Sequence, residues 1–255
     1  MKGLRFKDVA LAFDWHDQAY YGKPALGVLG TKPKLGSSHA FSFLTASILT
    51  AGKRLVLCIV PLQSREGLPA LLSLIAHIER WVDGFAYVAF DNGFQNSELI
   101  LSLQQLQIPF ILALRETGKL KRRRRWMRYA ERFTYTTQGV TVDVVEAVDW
   151  KGWKYHLATN LPYTAERVLR LYKRRWGIET SYRKIREFLP KTTSRNWTVR
   201  IFNFIFACLI YNAWVILNAK AREHVTTLEI KLTHFLNYIL TYLTIQLTET
   251  AGPPR

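Results

Sequence analysis

The chain has 255 residues, 49% of them hydrophobic, and 36 Lys+Arg against 19 Asp+Glu, a net charge of +17. That length allows one large or two small domains with a real core, and the apolar fraction excludes disorder throughout. Cys58 and Cys208 lie far apart in apolar runs, which excludes a disulfide framework or a Cys-rich zinc module and suits a reduced compartment. Met1–Arg5 opens no apolar leader, and so basic a chain points to a polyanion, nucleic acid first.

Asp8–Asp14 is an apolar run closed by an acid, as a buried strand reads. Gly22–Gly36 reads as loop or edge strand. The β-branched runs His39–Thr50 and Lys53–Val60, split by Ala51-Gly52, predict a hairpin. Leu68–Val82 has helical spacing, and Gly84–Asp91 is a second apolar strand ending in an acid. Asn96–Gln105 predicts a short helix and Pro109–Leu114 a further strand.

Over 115–160 the character changes. A basic run is followed by three alternating segments, Phe133–Thr137, Val140–Val148 and Trp153–Thr159, which predict a small antiparallel unit interrupting an α/β pattern. Thr164–Leu189 predicts one long helix, N-capped by Thr164 and stopped by Pro190. Ile201–Ala219 is a very apolar helix, read as buried core because Asn203, Asn212 and Asn218 interrupt it where a membrane span has little polar content. A weaker helical segment runs from Thr227 to Thr248.

Positive charge is concentrated. Residues 115–135 hold nine Lys/Arg against two acids, and residues 165–200 hold eleven against three. Arg122, Arg123, Arg124 and Arg125, beside Trp126, therefore suggest phosphate contact, although a solvated face would look the same. On the long helix, Tyr172, Arg175, Glu179, Arg183 and Arg186 recur at intervals of three or four. At 100° per residue they form one polar stripe beside an apolar face. Asp14 and Asp91 each suit a turn or cap taken alone. Together with Glu179 they form an oxygen donor set able to hold divalent cations.

Here the sequence resembles DDE transposases of the insertion-sequence-four superfamily. Their Tyr/Arg/Glu element matches Tyr172, Arg175 and Glu179 in spacing, with Arg186 where the family has Lys, and Asp91-Asn92-Gly93-Phe94 is similar to its Asp-x-Gly-aromatic element. The first acid is Asp14 on its position after the strand, with Asp17 as competitor. The resemblance implies an α/β fold, an RNase H-like mixed sheet flanked by helices, with a β-rich insertion between the second Asp and the Glu. It implies a catalytic core over 1–220 containing the insertion 115–160, and a C-terminal helical region over 221–255. It further implies Mg²⁺-dependent cleavage and strand transfer at the ends of an insertion sequence. Asp14, Asp91 and Glu179 would hold two ions (Mn²⁺ able to substitute), and Tyr172, Arg175, Arg183 and Arg186 would position DNA. The partners implied are transposon-end and target DNA and a second copy in the active complex, with no membrane. The location implied is a prokaryotic cytoplasm, at the nucleoid. Only thirteen residues precede Asp14, where the family carries a DNA-binding region, so a truncated copy is expected. A nuclease of the same fold, or an inactive remnant that only binds DNA, would share these features.

Overall fold

A computed structural model describes residues 6–34, 36–49, 54–64, 67–116, 118–126, 130–224 and 229–251. In chain order the elements are β1 (Phe6–Tyr20), β2 (Val28–Lys34), β3 (Ser37–Leu49), β4 (Arg54–Pro61), α1 (Gly67–Glu79), β5 (Val82–Phe90), α2 (Ser97–Gln105) and β6 (Phe110–Ala113). Then come α3 (Gly118–Trp126), β7 (Glu131–Thr137), β8 (Val140–Val148), β9 (Lys154–Thr159), α4 (Ala165–Lys173), α5 (Gly177–Phe188), α6 (Trp197–His224) and α7 (Leu232–Ala251).

All nine of these strands belong to one mixed sheet. β1, β3 and β4 run antiparallel as a meander, while β5 lies parallel to β1, and β6 to β5. The order β4-β3-β1-β5-β6 is the expected RNase H-like arrangement flanked by helices. β2 adds to β3, and β9, β8 and β7 continue the sheet beyond β6. The small antiparallel unit expected over 115–160 is continuous with the main sheet, because β9 pairs with β6 from Ile111↔Thr159 to Ala113↔Leu157.

Strand alternation sorts the two faces. Leu11, Phe13, Val88 and Phe90 pack with Leu71, Ile75, Ile78, Leu99 and Leu103 of α1 and α2. Ala12 and Ala89 face the other way, into a core with Val168, Ile178, Tyr182, Ile185, Phe204 and Tyr211 of α4, α5 and α6. The candidate site sits on this second face.

Four expectations change with tertiary context. β1 does not stop at Asp14: parallel pairing with β5 ends at Ala12↔Ala89, but antiparallel pairing with β3 carries the strand on to Tyr20↔His39. α1 ends at Glu79, and Val82 is recruited into β5 opposite Phe6. The helix expected over Thr164–Leu189 is two helices joined by a 3₁₀ turn, Arg174–Trp176. There the Arg54 guanidinium donates to the Arg174 carbonyl and packs on Gly177, where a Cβ would come within 2.9 Å of Arg54 Nε. Finally, α6 is not buried all round. Its inner face packs on the sheet, with Asn212 holding both backbone groups of Val56 (3.0 and 2.7 Å), while the outer face is exposed. By length and composition alone, α6 is long and apolar enough to cross a membrane.

Candidate active site

The first two acids are placed by strand register. Two residues beyond the last parallel pair, Ala12↔Ala89, stand Asp14 and Asp91. They are therefore neighbours at the carboxyl ends of adjacent parallel strands, on the same face as the two alanines. Ligand sites of open α/β sheets lie at such strand ends. Trp15, on the opposite face, stacks on Phe94 (centroids 4.6 Å apart), tying β1 to the turn after Asp91. In that turn Asp91 Oδ1 accepts the Gly93 N–H at 2.8 Å. A Cβ at Gly93 would lie 2.9 Å from the same oxygen, so any other residue there would displace the Asp91 carboxylate from this position.

Glu179 comes from the first turn of α5, where the helix dipole favours a carboxylate. The helix is docked one turn later: the Tyr182 and Thr45 hydroxyls hydrogen-bond, and Thr45 Oγ1 donates to the Asp14 carbonyl at 3.2 Å. His16 is sandwiched between Tyr182 and Phe204, a packed position on the same face. Ser181 Oγ and Tyr211 OH, 2.9 Å apart, fasten α5 to α6.

The charges of the three acids act on one another. Burial pushes the Asp14 carboxyl up to about 7; Arg175 opposes this, and the charges of Asp91 and Glu179 add to it. Arg175 is buried, hydrogen-bonds Tyr172, and interacts with both Asp14 and Asp91. Among the described residues its Nε makes no hydrogen bond. Asp17 is held differently, accepting from Ser42 Oγ.

Asp14 and Glu179 border a cleft of about 1170 Å³ lined also by Asp17, Lys32, His39, Gly93, Arg115 and Arg186. Arg183 and Arg186 are exposed, whereas Tyr172 and Arg175 are buried against the acids instead of facing solvent. Arg175 lies within the 3₁₀ turn, where each residue advances by about 120° instead of about 100°, and Arg183 and Arg186 follow it on α5. Sequence reasoning missed Lys32 and Arg115. Arg115 is placed by its N–H to Gln95 Oε1 (2.6 Å) and its Nε to the Asn92 carbonyl (2.9 Å), long-range contacts that no local pattern signals.

The basic run forms α3. Arg122 is exposed, and the side chains of Arg124, Arg125 and Trp126 lie outside the described residues. Arg123, expected to meet DNA, instead turns inward. It pairs with buried Glu146 at 2.9 Å and with Glu131 at 3.1 Å, and lies over the Phe133 ring at 4.0 Å. His156 Nε2 lies 3.0 Å from the same Glu146, and Arg123 thereby fastens α3 to β8 and β7 within the insertion.

No set of three or more His, Cys, Asp or Glu among the described residues is gathered closely enough to hold a metal ion. The donor chemistry nonetheless fits a hard cation: three carboxylates, of which Asp14 is raised by burial and by the charges of the other two, offer oxygen ligands only.

A family model described as a transposase DDE domain matches residues 5–213. Among solved structures the chain is similar to a piggyBac transposase, determined by cryo-EM as a synaptic complex with hairpin DNA. The TM-score is 0.70 at 12% identity, over 96% of this chain and 54% of that one. The chain thus spans about half the length of that transposase. No curated protein matches.

Proposed function

Because the chain belongs to the transposase DDE domain family, we propose that it catalyses metal-dependent DNA cleavage and strand transfer at the ends of an insertion sequence. Asp14, Asp91 and Glu179 are its acids. What carries the reading is the placement of Asp14 and Asp91 side by side on parallel strands, with the Glu179 charge acting on the same buried carboxyl. The Tyr172, Arg175 and Glu179 spacing supports placing it in the insertion-sequence-four superfamily.

The residues divide the work by burial. Tyr172 and Arg175 hold the acids in place from within the core, Arg175 offsetting the repulsion between Asp14 and Asp91. Lys32, Arg115 and Arg186 line the cleft and take phosphates of the reacting strand, and exposed Arg183 extends that surface. Arg122, with Arg124, Arg125 and Trp126, binds DNA away from the acids. Asp14, Asp91 and Glu179 would hold two Mg²⁺, or Mn²⁺ in their place. Bound there, the ions supply activation of the attacking hydroxyl and stabilisation of the leaving oxygen. Residues 1–220 form the catalytic core around the basic insertion 115–160, and 221–255 a C-terminal helical region. The partners are transposon-end and target DNA and a second copy of the chain, in a prokaryotic cytoplasm at the nucleoid.

The test is Glu179→Gln, assayed on DNA carrying the element's own ends with Mg²⁺ or Mn²⁺. Cleavage should drop by orders of magnitude while DNA binding persists, since the change removes one carboxylate and leaves the cations. Clear wild-type cleavage that the substitution leaves untouched would overturn the assignment, and cleavage without joining would make the protein a nuclease.

A further inference from the structure

We propose that the outer face of α6 is a self-complementary seam through which two copies of this chain pair antiparallel. The inference gives a surface to the second copy named above. It rests on helix geometry and not on the acids.

A helix packed on a sheet needs one apolar stripe, and α6 has two. The inner one, Phe204, Cys208, Tyr211, Val215 and Asn218, is buried. On the opposite side Val199, Phe202, Phe206, Leu209 and Ile216 are 38 to 63% exposed, and Ala213 between them is exposed too. Their spacing is three, four, three, four, three. That is a strict heptad repeat, the pattern by which one helix recognises another.

The flanks permit self-pairing. The positions beside the seam are Asn203, Ile205, Ile210, Asn212, Leu217 and Ala219, all uncharged, so between Val199 and Ile216 two copies of a +17 chain can approach without like charges meeting. Arg200 is turned away, donating to the Ser194 carbonyl at 2.8 Å and lying over the Phe41 ring, and Lys220 stands at the end of the stripe, one step beyond Ile216.

Direction follows from side-chain size. Antiparallel, with the two-fold axis between Phe206 and Leu209, Val199 meets the partner's Ile216, Phe202 the partner's Ala213, and Phe206 the partner's Leu209. Every layer is apolar, and the first phenylalanine faces the smallest residue. A parallel pair would instead set Phe202 on its own copy, leave a gap at Ala213 and bring Lys220 onto Lys220. Aromatic side chains contribute about 150–250 Å² each. The stripe therefore offers on the order of 500 Å² per copy, the apolar centre of an interface of about 800 Å² per partner. A membrane is the poorer occupant, because Asn212 and the inner stripe hold α6 on β4 and the sheet.

The experiment measures the mass of the full chain by light scattering at micromolar concentrations, in chelator and without DNA. The wild type should have twice the 29.6 kDa of one chain. Phe206→Glu and Leu209→Glu should each weaken association by about 100-fold or more, because an unpaired carboxylate enters the seam twice. Their circular dichroism should stay unchanged, since both positions are exposed. Phe202→Cys combined with Ala213→Cys should cross-link two copies on oxidation, and Ala213→Cys alone should not. A wild type of single-chain mass, a dimer indifferent to both glutamates, self-cross-linking of Ala213→Cys, or partition of the wild type into phosphatidylcholine vesicles would each overturn the proposal. Mass is read without cleavage, so failure of the catalytic assignment leaves this test intact.

Discussion

Replacing Asp14 by Asn should make the metal-free protein more stable, and increasingly so as pH rises. The folded state holds the Asp14 carboxyl at about 7 against an ordinary 3.8, chiefly by burial. A raised carboxyl favours the folded state only while protonated. Stability is therefore lost as pH climbs from 3.8 to about 7 and is level above that. At about 1.4 kcal/mol per pH unit, the cost of the ionised form is about 1.6 kcal/mol at pH 5 and about 4 kcal/mol at pH 8, the latter a ceiling that solvent relaxation lowers. Asparagine keeps the shape, and its amide oxygen can still accept the Trp15 N–H that Asp14 Oδ1 takes at 3.0 Å. Urea unfolding in chelator should therefore show the variant ahead by more than 2 kcal/mol at pH 8, by about half as much at pH 5 and by almost nothing at pH 3. An advantage equal at pH 5 and pH 8, or a variant less stable at pH 8, would refute a functional carboxyl held ionised at a cost to the fold.

The remaining predictions follow from the same contacts. Adding Mg²⁺ or Mn²⁺ at pH 8 should raise the melting temperature of the wild type and leave Asp14→Asn unmoved, because the cation answers the charge that the variant lacks. Arg123→Ala should cost about 2 kcal/mol, since it strips buried Glu146 of its cation, discounted for the half-exposed arginine. Arg122→Ala should leave stability alone but flatten the salt dependence of duplex binding by about 0.9 in log–log slope, the share of one phosphate contact. Equal stability losses for the two arginines would contradict the inward turn of Arg123. Asn212→Ala should cost about 2 kcal/mol in urea unfolding by leaving the Val56 N–H and C=O without the amide that holds them.

What the residues alone determined is local and periodic. Apolar runs closed by an acid marked β1 and β5 and the carboxylates near their ends. The runs around Gly139 and Gly152 marked β7, β8 and β9, and the three- and four-residue recurrence from Tyr172 to Arg186 marked a polar stripe. These are signals a strand or helix carries without its neighbours, and with the family resemblance they sufficed for the α/β, RNase H-like fold. Everything that depends on which elements touch was decided by tertiary structure. The parallel register that sets Asp14 beside Asp91 joins strands 77 residues apart (14 to 91). The break at Arg174–Trp176 is met by Arg54, 120 residues earlier (54 to 174), and Tyr172 and Arg175 lie inward while Arg183 and Arg186 stay outside. Arg123 is indistinguishable from Arg122 in the run, yet only Arg123 finds Glu146 within reach. In α6 an apolar sequence was compatible with complete burial, but the sheet has room for only one of its faces. The reason is the same in each case: periodicity records which side of an element is apolar, whereas burial, charge pairing and register come from surfaces that distant segments bring together.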